Sequence, residues 1–300
     1  MDGRSGIGVI ALVLASLLWG TTGTTATFLP ADVSPFAIGA CTMGVGGILL
    51  FISAGRRATE VLRDAEAMRW LLLGAVGVVV YPLAFYAGMR LAGVAVGNVV
   101  ALGSGPVFAA VIEWLVERQR LSTRWVIATG TAVLGIAGLA IGRQTDAGTG
   151  QTFEGIALGL IAGLAYAVYT YASSRAIRAG HPSRGVMGAM FGIGALPLLA
   201  LLVVIGAPLL QSWQSIGLAA YLAIGPMFVA YLLFGVGLRS IRSSSATTIT
   251  LLEPLVATAL AVLVVGERLA PVGWAGAALV LAGLLLLVTA RRGPKASERL

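Results

Sequence analysis

Ten apolar runs, each about as long as a membrane-spanning helix, follow one another along the chain. A helix of roughly 20 apolar residues crosses the hydrocarbon core of a bilayer and satisfies its own backbone polar groups there. Only 11% of the 300 side chains are charged, whereas soluble domains carry roughly 25%. We therefore predict an all-α integral membrane protein with ten transmembrane helices. The predicted spans are Gly6–Phe28, Pro35–Ala54, Trp70–Met89, Val94–Glu113, Trp125–Ile141, Gly155–Ser174, Gly185–Ile205, Ile216–Leu238, Ala246–Val265 and Val272–Ala290.

Composition excludes several partners and cofactors. The net charge of +8 comes from short basic clusters between apolar runs, which is typical of loops facing an anionic leaflet, so we expect no nucleic-acid partner. Cys41 is the only cysteine, so an intrachain disulfide and a cysteine-based metal cluster are excluded. His181 is the only histidine and lies in a basic loop, so we expect no metal or other cofactor. The first apolar run is long enough to span, which predicts an uncleaved first helix.

The positions of Lys and Arg predict the orientation of the chain. If the amino terminus is inside, 17 of the 20 basic residues lie in cytoplasmic connections or termini, and only Arg90, Arg143 and Arg268 lie outside. Basic residues concentrate in cytoplasmic loops. We therefore predict a multi-pass protein of the bacterial inner (plasma) membrane, with both termini in the cytoplasm and the bilayer as its main partner.

A weak internal repeat divides the chain into two halves of five spans. A shift of 148 residues aligns Pro106 with Pro254 and Gly135 with Gly283, together with several apolar residues between them. Because five is odd, the two halves must point in opposite directions. Inverted repeats around a central site are typical of secondary transporters that work by alternating access. We predict a first repeat at 1–145 and an inverted repeat at 146–300 around a central cavity, ending in a short basic cytoplasmic tail.

Four short motifs resemble those of a known family. They are Leu18-Trp19-Gly20, Ala165-Tyr166-Ala167, Leu252-Glu253-Pro254 and Gly266-Glu267-Arg268-Leu269. This pattern resembles EamA-type members of the drug/metabolite transporter superfamily over nearly the whole chain, and is most similar to YddG-type aromatic amino-acid exporters. The resemblance implies a ten-helix basket with a cavity bounded mainly by spans one, three, four, six, eight and nine. It departs from small multidrug-resistance relatives, because the first span has no acidic residue.

Aromatic side chains supply the candidate substrate site. Within three spans, pairs spaced by three or four residues share one helix face. An apolar cavity with aromatic faces can hold the side chain of an amino acid. Packing or an interfacial belt is the alternative for each aromatic residue, and hydrogen bonding between helices is the alternative for the one amide. The predicted substrate-binding residues are Trp19, Tyr81, Phe85, Asn98, Tyr166, Tyr169, Phe228 and Tyr231.

Two acidic residues in apolar runs receive different interpretations. Glu253 lies deep in the ninth span beside Pro254, where an ionised carboxylate is costly. It is either a binding or coupling carboxylate, or a structural group that pins a kink next to the serines and threonines between Ser243 and Thr250. Glu113 lies near the cytoplasmic end of its span beside Glu117, so we expect its carboxylate to reach the interface.

The inventory of reactive groups argues against an enzyme. The chain has no HExxH, GxSxG or P-loop motif, and its only lysine, Lys295, lies in the tail. We therefore predict a secondary transporter, working as a monomer, that exports neutral and especially aromatic amino acids and related small solutes. An exporter of lipophilic cations, drugs or other metabolites is the alternative. A channel-like or structural membrane protein is the second alternative.

Overall fold

The computed structural model describes residues 3–26, 28–30, 32–92, 94–118, 121–142, 152–265 and 269–288, and these ranges contain helices and short turns but no β-strand. The first half forms α1 (Gly3–Ala26), α2 (Pro35–Ala54), α3 (Arg56–Arg63), α4 (Ala65–Ala92), α5 (Val94–Glu117) and α6 (Thr123–Gly142). The second half forms α7 (Thr152–Arg178), α8 (Ser183–Ile205), a 3₁₀ turn (Ala207–Leu210), α9 (Trp213–Leu222), α10 (Ala230–Gly237), α11 (Ser243–Ile249), α12 (Leu252–Leu260) and α13 (Pro271–Val288). Two π-helical segments, Ala223–Val229 and Ala261–Val265, follow α9 and α12.

Eight segments within these ranges are long and apolar enough to cross a membrane. Two shorter apolar helices, Thr123–Leu139 and Pro271–Leu287, occupy the fifth and tenth predicted spans. The many apolar spans are therefore confirmed, while a total of ten transmembrane helices stays a prediction. The residues of the amino-terminal tip and the carboxy-terminal tail lie outside the described part of the chain.

The helices depart from the predicted spans in three places. The eighth span is not one α-helix, because a π-helical segment containing Pro226 separates α9 from α10. The ninth is broken between α11 and α12, just before Pro254. The short helix α3 was not predicted, since its charged sequence does not resemble a span. It buries Ala58 and Val61, and it packs against α8.

Glycine-lined seams bring the long helices close together. The most extensive packing joins α4 with α7, α2 with α8, and α6 with α13. At Gly276 of α13, an added Cβ would lie 2.5 Å from the backbone nitrogen of Leu139 in α6. Small residues permit such close approach of backbones in membrane helix bundles.

Large apolar side chains cover much of the outer surface. Val203 is 85% exposed and Leu263 is 80% exposed, although both lie within long apolar helices. Water would not favour so much apolar surface, whereas lipid tails would. The buried side is also apolar and includes Leu12, Phe191 and Phe234.

Candidate functional site

A cavity of about 70 Å³ lies among α1, α2, α4, α5, α7, α9, α10 and α12. It is lined by Trp19, Thr22, Thr42, Met43, Tyr81, Pro82, Phe85, Tyr86, Leu102, Tyr166, Tyr169, Leu222, Pro226, Met227, Tyr231 and Glu253. The spans that the resemblance implied are all represented. The second span also contributes, through Thr42 and Met43, which the resemblance did not imply.

Ring-to-ring contacts build one wall of the cavity. Tyr81 stacks on Phe85 one turn later in α4, with ring centroids 5.4 Å apart and an angle of 19° between the planes. The Tyr81 ring also lies 5.8 Å from that of Tyr166 and 5.9 Å from that of Tyr169, both in α7. Offset and edge-on pairs at such distances are favourable. Spacing on the helix face and packing between helices thus place these rings in one cluster.

Hydrogen bonds join the tyrosines of α7 to α10 and to the break between α11 and α12. The hydroxyls of Tyr169 and Tyr231 lie 2.8 Å apart, and that of Tyr166 lies 2.7 Å from the hydroxyl of Thr250. On α1, Trp19 packs edge-on against Tyr231 at 5.0 Å. A buried tyrosine hydroxyl needs such a partner. The bonds therefore fix which ring faces point into the cavity.

The structure brings together most of the residues predicted from the sequence. Trp19, Tyr81, Phe85, Tyr166, Tyr169, Tyr231 and Glu253 all line the cavity. Phe228 does not line it, although Phe228 packs against the same apolar core as the residues that do. The backbone of Asn98 belongs to α5, but its side chain lies outside the described part of the chain. Whether the lining residues bind a substrate stays a prediction.

Several lining residues were missed by sequence reasoning. Tyr86 lines the cavity next to Phe85, although adjacent residues lie on different parts of a helix face. Its ring also packs against Gly39 of α2, where an added Cβ would lie 3.0 Å away. Met43 and Met227 lack any local signal for a cavity, since a methionine in an apolar run packs equally well in a core. Only the packing of α2 and the π-helical segment reveals their role.

Glu253 reaches the cavity because its helix is interrupted. Pro254 has no N–H to donate to the carbonyl of Thr250, and the N–H of Glu253 donates to that carbonyl at 2.9 Å instead. This tight turn begins α12 and places the carboxylate among the tyrosine rings. Within the described part of the chain, no side chain forms a hydrogen bond with it. It is the one acidic residue that lines the cavity, and none of the described lining residues is Lys, Arg or His.

Glu113 contradicts the prediction that its carboxylate reaches the interface. The residue is 5% exposed and accepts hydrogen bonds from the hydroxyls of Ser243 and Ser244 and, at 3.1 Å, from the backbone N–H of Ser244. The packing of α5 against α11 brings this serine pair to the carboxylate, which no local pattern could indicate. Two of the hydroxyls that the structural interpretation of Glu253 invoked, those of Ser243 and Ser244, are therefore bound to Glu113.

Metal-ligating side chains do not cluster. Among the residues that the structure describes, no group of three or more His, Cys, Asp or Glu side chains is placed to hold a metal ion. The cavity therefore offers aromatic faces, hydroxyls and one carboxylate. Such a set can bind and orient a small solute through non-covalent contacts.

Comparison with known proteins identifies the family to which the chain belongs. The profile of the EamA-like transporter family matches residues 6–141 and again residues 153–289. The chain belongs to the EamA-like transporter family. This EamA-like protein is 32% identical over 291 residues to "Uncharacterized transporter YwfM" of Bacillus subtilis (strain 168), which covers 96% of this chain and 95% of that one.

Two further comparisons agree with the EamA-like assignment. "Uncharacterized transporter sll0355" of Synechocystis sp. is 26% identical over 307 residues, covering 95% of this chain and 89% of that one. A crystal structure of a protein superimposes with a TM-score of 0.75 over 93% of this chain and 95% of that chain, at 21% identity, which shows the fold alone. The protein is therefore a multi-pass membrane protein of a transporter family.

Proposed function

We propose that this protein is a secondary transporter that exports neutral, especially aromatic, amino acids and related small solutes by alternating access, as the resemblance to YddG-type exporters implies. The observation that carries the proposal is the cavity with one carboxylate, Glu253, among aromatic rings. A carboxylate can bind the ammonium group of an amino acid, and aromatic faces attract cations and apolar side chains alike. The rings of Tyr81, Phe85 and Tyr166 are the proposed contacts of the substrate side chain.

The small size of the cavity supports a conformational change during transport. An engineered cavity of about 150 Å³ binds benzene, and this one has about 70 Å³. In the proposed transport, the walls move apart to admit an aromatic amino acid. The walls belong to both halves of the chain, so relative movement of the halves would open the cavity, as alternating access requires.

The seam between α6 and α13 supports an inverted repeat. An added Cβ at Gly135 would collide with the backbone of Gly276 and Val280, whereas one at Gly283 would collide with Ala128 and Ala132. Adding 148 to 135, 128 and 132 gives 283, 276 and 280. Each contact is thus repeated with the roles of the two halves exchanged, as a two-fold axis between them requires.

The seam between α2 and α8 follows the same rule. Gly44 packs on Leu199, and its repeat partner Gly192 packs on Phe51, which is the repeat partner of Leu199. The residues aligned in the sequence lie in the fourth and fifth spans and their partners, so these contacts of α2 and α8 support the repeat independently. We propose ten transmembrane helices in two inverted repeats, 1–145 and 146–300.

Contacts at the other end of the bundle support a closed cytoplasmic side. The cavity is reached by the C-terminal halves of α1 and α4 and the N-terminal half of α2. The distribution of basic residues assigns these ends to the periplasm of a bacterial inner membrane. At the opposite end, Glu113 of α5 holds the start of α11, and Thr129 of α6 lies 3.0 Å from Thr248. We propose that these bonds break when the cavity opens inward.

Counterflow of labelled phenylalanine in proteoliposomes tests the proposal. We expect exchange by the wild type, and Tyr81→Ala should weaken phenylalanine exchange several-fold more than threonine exchange, because a lost aromatic contact removes roughly 0.5 to 1.5 kcal/mol. Phe228→Ala is the matched control, since Phe228 lies off the cavity and its loss should leave the preference unchanged. Absence of phenylalanine exchange by an active, folded preparation would reject the proposal.

A second candidate, export of lipophilic cations, is favoured by one observation. The described lining residues include one carboxylate and no basic side chain to bind the carboxylate of an amino acid. Labelled methyl viologen in the same proteoliposomes distinguishes the candidates. Exchange of methyl viologen without exchange of phenylalanine would replace the first proposal by the second.

A further inference from the structure

A second depression, of about 430 Å³, lies at the end of the bundle opposite to the aromatic cavity. Three arginines line it: Arg57 in the first turn of α3, Arg184 in the first turn of α8 and Arg239 just after α10. Ser183 and His181 complete its polar lining. We refer to this depression as the arginine pocket.

Backbone packing brings the three arginines together. An added Cβ at Gly185, next to Arg184, would lie 2.7 Å from the backbone carbonyl of Arg57, so α3 touches the start of α8. An added Cβ at Gly235, one turn before Arg239, would lie 3.7 Å from Ser183. The three positive charges therefore come from separate elements that converge on one depression. This is different from a basic run along a single loop, which would not need a fold to assemble it.

Within the described part of the chain, no carboxylate forms an ion pair with any of the three arginines of the arginine pocket. The nearby carboxylate of Asp64 is already bound, because it accepts hydrogen bonds from the N–H groups of Glu66 and Ala67 and pairs with His181 at 3.1 Å. The amides of Ala67 and Glu66 hold the pKa of Asp64 below its usual range.

The start of α8 adds further donors. Its cap residue, Pro182, provides no side-chain acceptor for the first amides of the helix. Such amides bind anions, and phosphate in particular. Arginine forks match the oxygens of phosphate through paired hydrogen bonds. The helix start alone would not define a site, but here it opens into a pocket that already holds three arginines.

We propose that the arginine pocket binds the phosphate group of an anionic ligand, with the headgroup of an anionic phospholipid as the expected source. The pocket lies where the apolar helices α2 and α10 end and where α8 begins. In the membrane this is the level of lipid headgroups. A phosphate there would link α3 of the first half to α8 and α10 of the second. Binding would therefore stabilise the arrangement of the two halves seen here.

Thermal unfolding of the purified full-length protein tests this proposal. At matched ionic strength, micelles containing phosphatidylglycerol should raise the Tm of the wild type above the value in phosphatidylcholine. Each of Arg57→Gln, Arg184→Gln and Arg239→Gln should weaken the apparent affinity roughly fivefold, since one arginine near an anionic surface contributes about 1 kcal/mol. Arg178→Gln is the matched control. Arg178 is the last residue of α7 and is exposed at the same end of the bundle as the pocket, but it does not line the pocket.

In a second experiment, Tm is measured with added inorganic phosphate, and chloride at the same ionic strength is the control. A rise in Tm with phosphate that the same three variants weaken would retain the site and assign it to a free phosphate. For any variant whose unfolding cannot be compared with that of the wild type, native mass spectrometry measures bound phosphatidylglycerol instead. Equal effects in the pocket variants and in Arg178→Gln, or no effect of either phosphate source on the wild type, would overturn the proposal.

Discussion

At the scale of single residues, two glutamates in apolar segments make opposite contacts. Glu113 is buried and bound by two serines of α11, whereas Glu253 lines the cavity without a hydrogen-bond partner in the described part of the chain. A buried carboxylate is tolerated only when donors satisfy it. Glu113 therefore serves the packing of α5 against α11, whereas in the proposed function Glu253 binds the ammonium group of a solute.

Glu113→Gln should destabilise the protein. The change removes the charge that strengthens three hydrogen bonds, and bonds to charged groups contribute about 1.5 to 3 kcal/mol. Thermal unfolding in detergent measures the effect. Glu66→Gln is the control, since Glu66 is 73% exposed and forms a surface ion pair that contributes little. Equal unfolding temperatures for the Glu113→Gln variant and the wild type would show that the serines do not depend on the charge.

Glu253→Gln should lower the affinity for amines while leaving the protein folded. Gln keeps the shape of the side chain but cannot form a charged contact with an ammonium group. Competition of 2-phenylethylamine against labelled phenylalanine should weaken roughly tenfold or more, as expected for loss of a hydrogen bond to a charged group. Glu154→Gln, which changes an exposed residue at the start of α7, should leave competition unchanged. Unaltered competition in the Glu253→Gln variant would contradict a binding role and favour the structural interpretation of Glu253.

At the scale of elements, interrupted helices and glycine seams decide how the cavity forms. The break before Pro254 turns Glu253 inward, and the π-helical segment before α10 brings Pro226 and Met227 to the wall. Proline in a membrane helix frees a backbone carbonyl, which neighbouring groups then satisfy. Seams without Cβ atoms hold the remaining helices at short distance.

Gly276→Ala should destabilise the seam between α6 and α13. The new Cβ would lie 2.6 Å from the carbonyl of Gly135 and 2.5 Å from the amide of Leu139, and backbone atoms cannot move aside as a side chain can. Overpacking of this kind costs about 1 to 3 kcal/mol. Gly130→Ala is the control on α6, because an added Cβ there meets nothing within 4 Å. A Gly276→Ala protein that unfolds at the same temperature as the Gly130→Ala control would contradict this packing.

At the scale of the whole molecule, reciprocal contacts relate the two halves. The contacts of Gly135 and Gly283 exchange when 148 is added, and those of Gly44 and Gly192 do the same. Related halves can exchange conformations, so that one arrangement closes the cytoplasmic side and its counterpart closes the other. In the proposed mechanism, the bonds of Glu113 hold the cytoplasmic side closed.

The orientation of the molecule can be checked by thiol labelling in intact cells. In a Cys41→Ala background, Gln211→Cys should react with a membrane-impermeant reagent, because it lies in the connection 206–215, which has no charged residue and is assigned to the periplasm. Ala179→Cys should react only after the cells are opened, since it lies in a basic connection. Reaction of Ala179→Cys in intact cells would reverse the proposed topology.

The sequence by itself determined the apolar spans and most of the aromatic residues of the cavity. These depend on local properties: the length of an apolar run and the spacing of Tyr81 and Phe85, or of Tyr166 and Tyr169, on one helix face. Only the tertiary structure decided that Phe228 does not line the cavity and that Glu113 is buried against Ser243 and Ser244. Those outcomes depend on which helix faces meet, and contacts between distant segments leave no periodic signal in either segment alone.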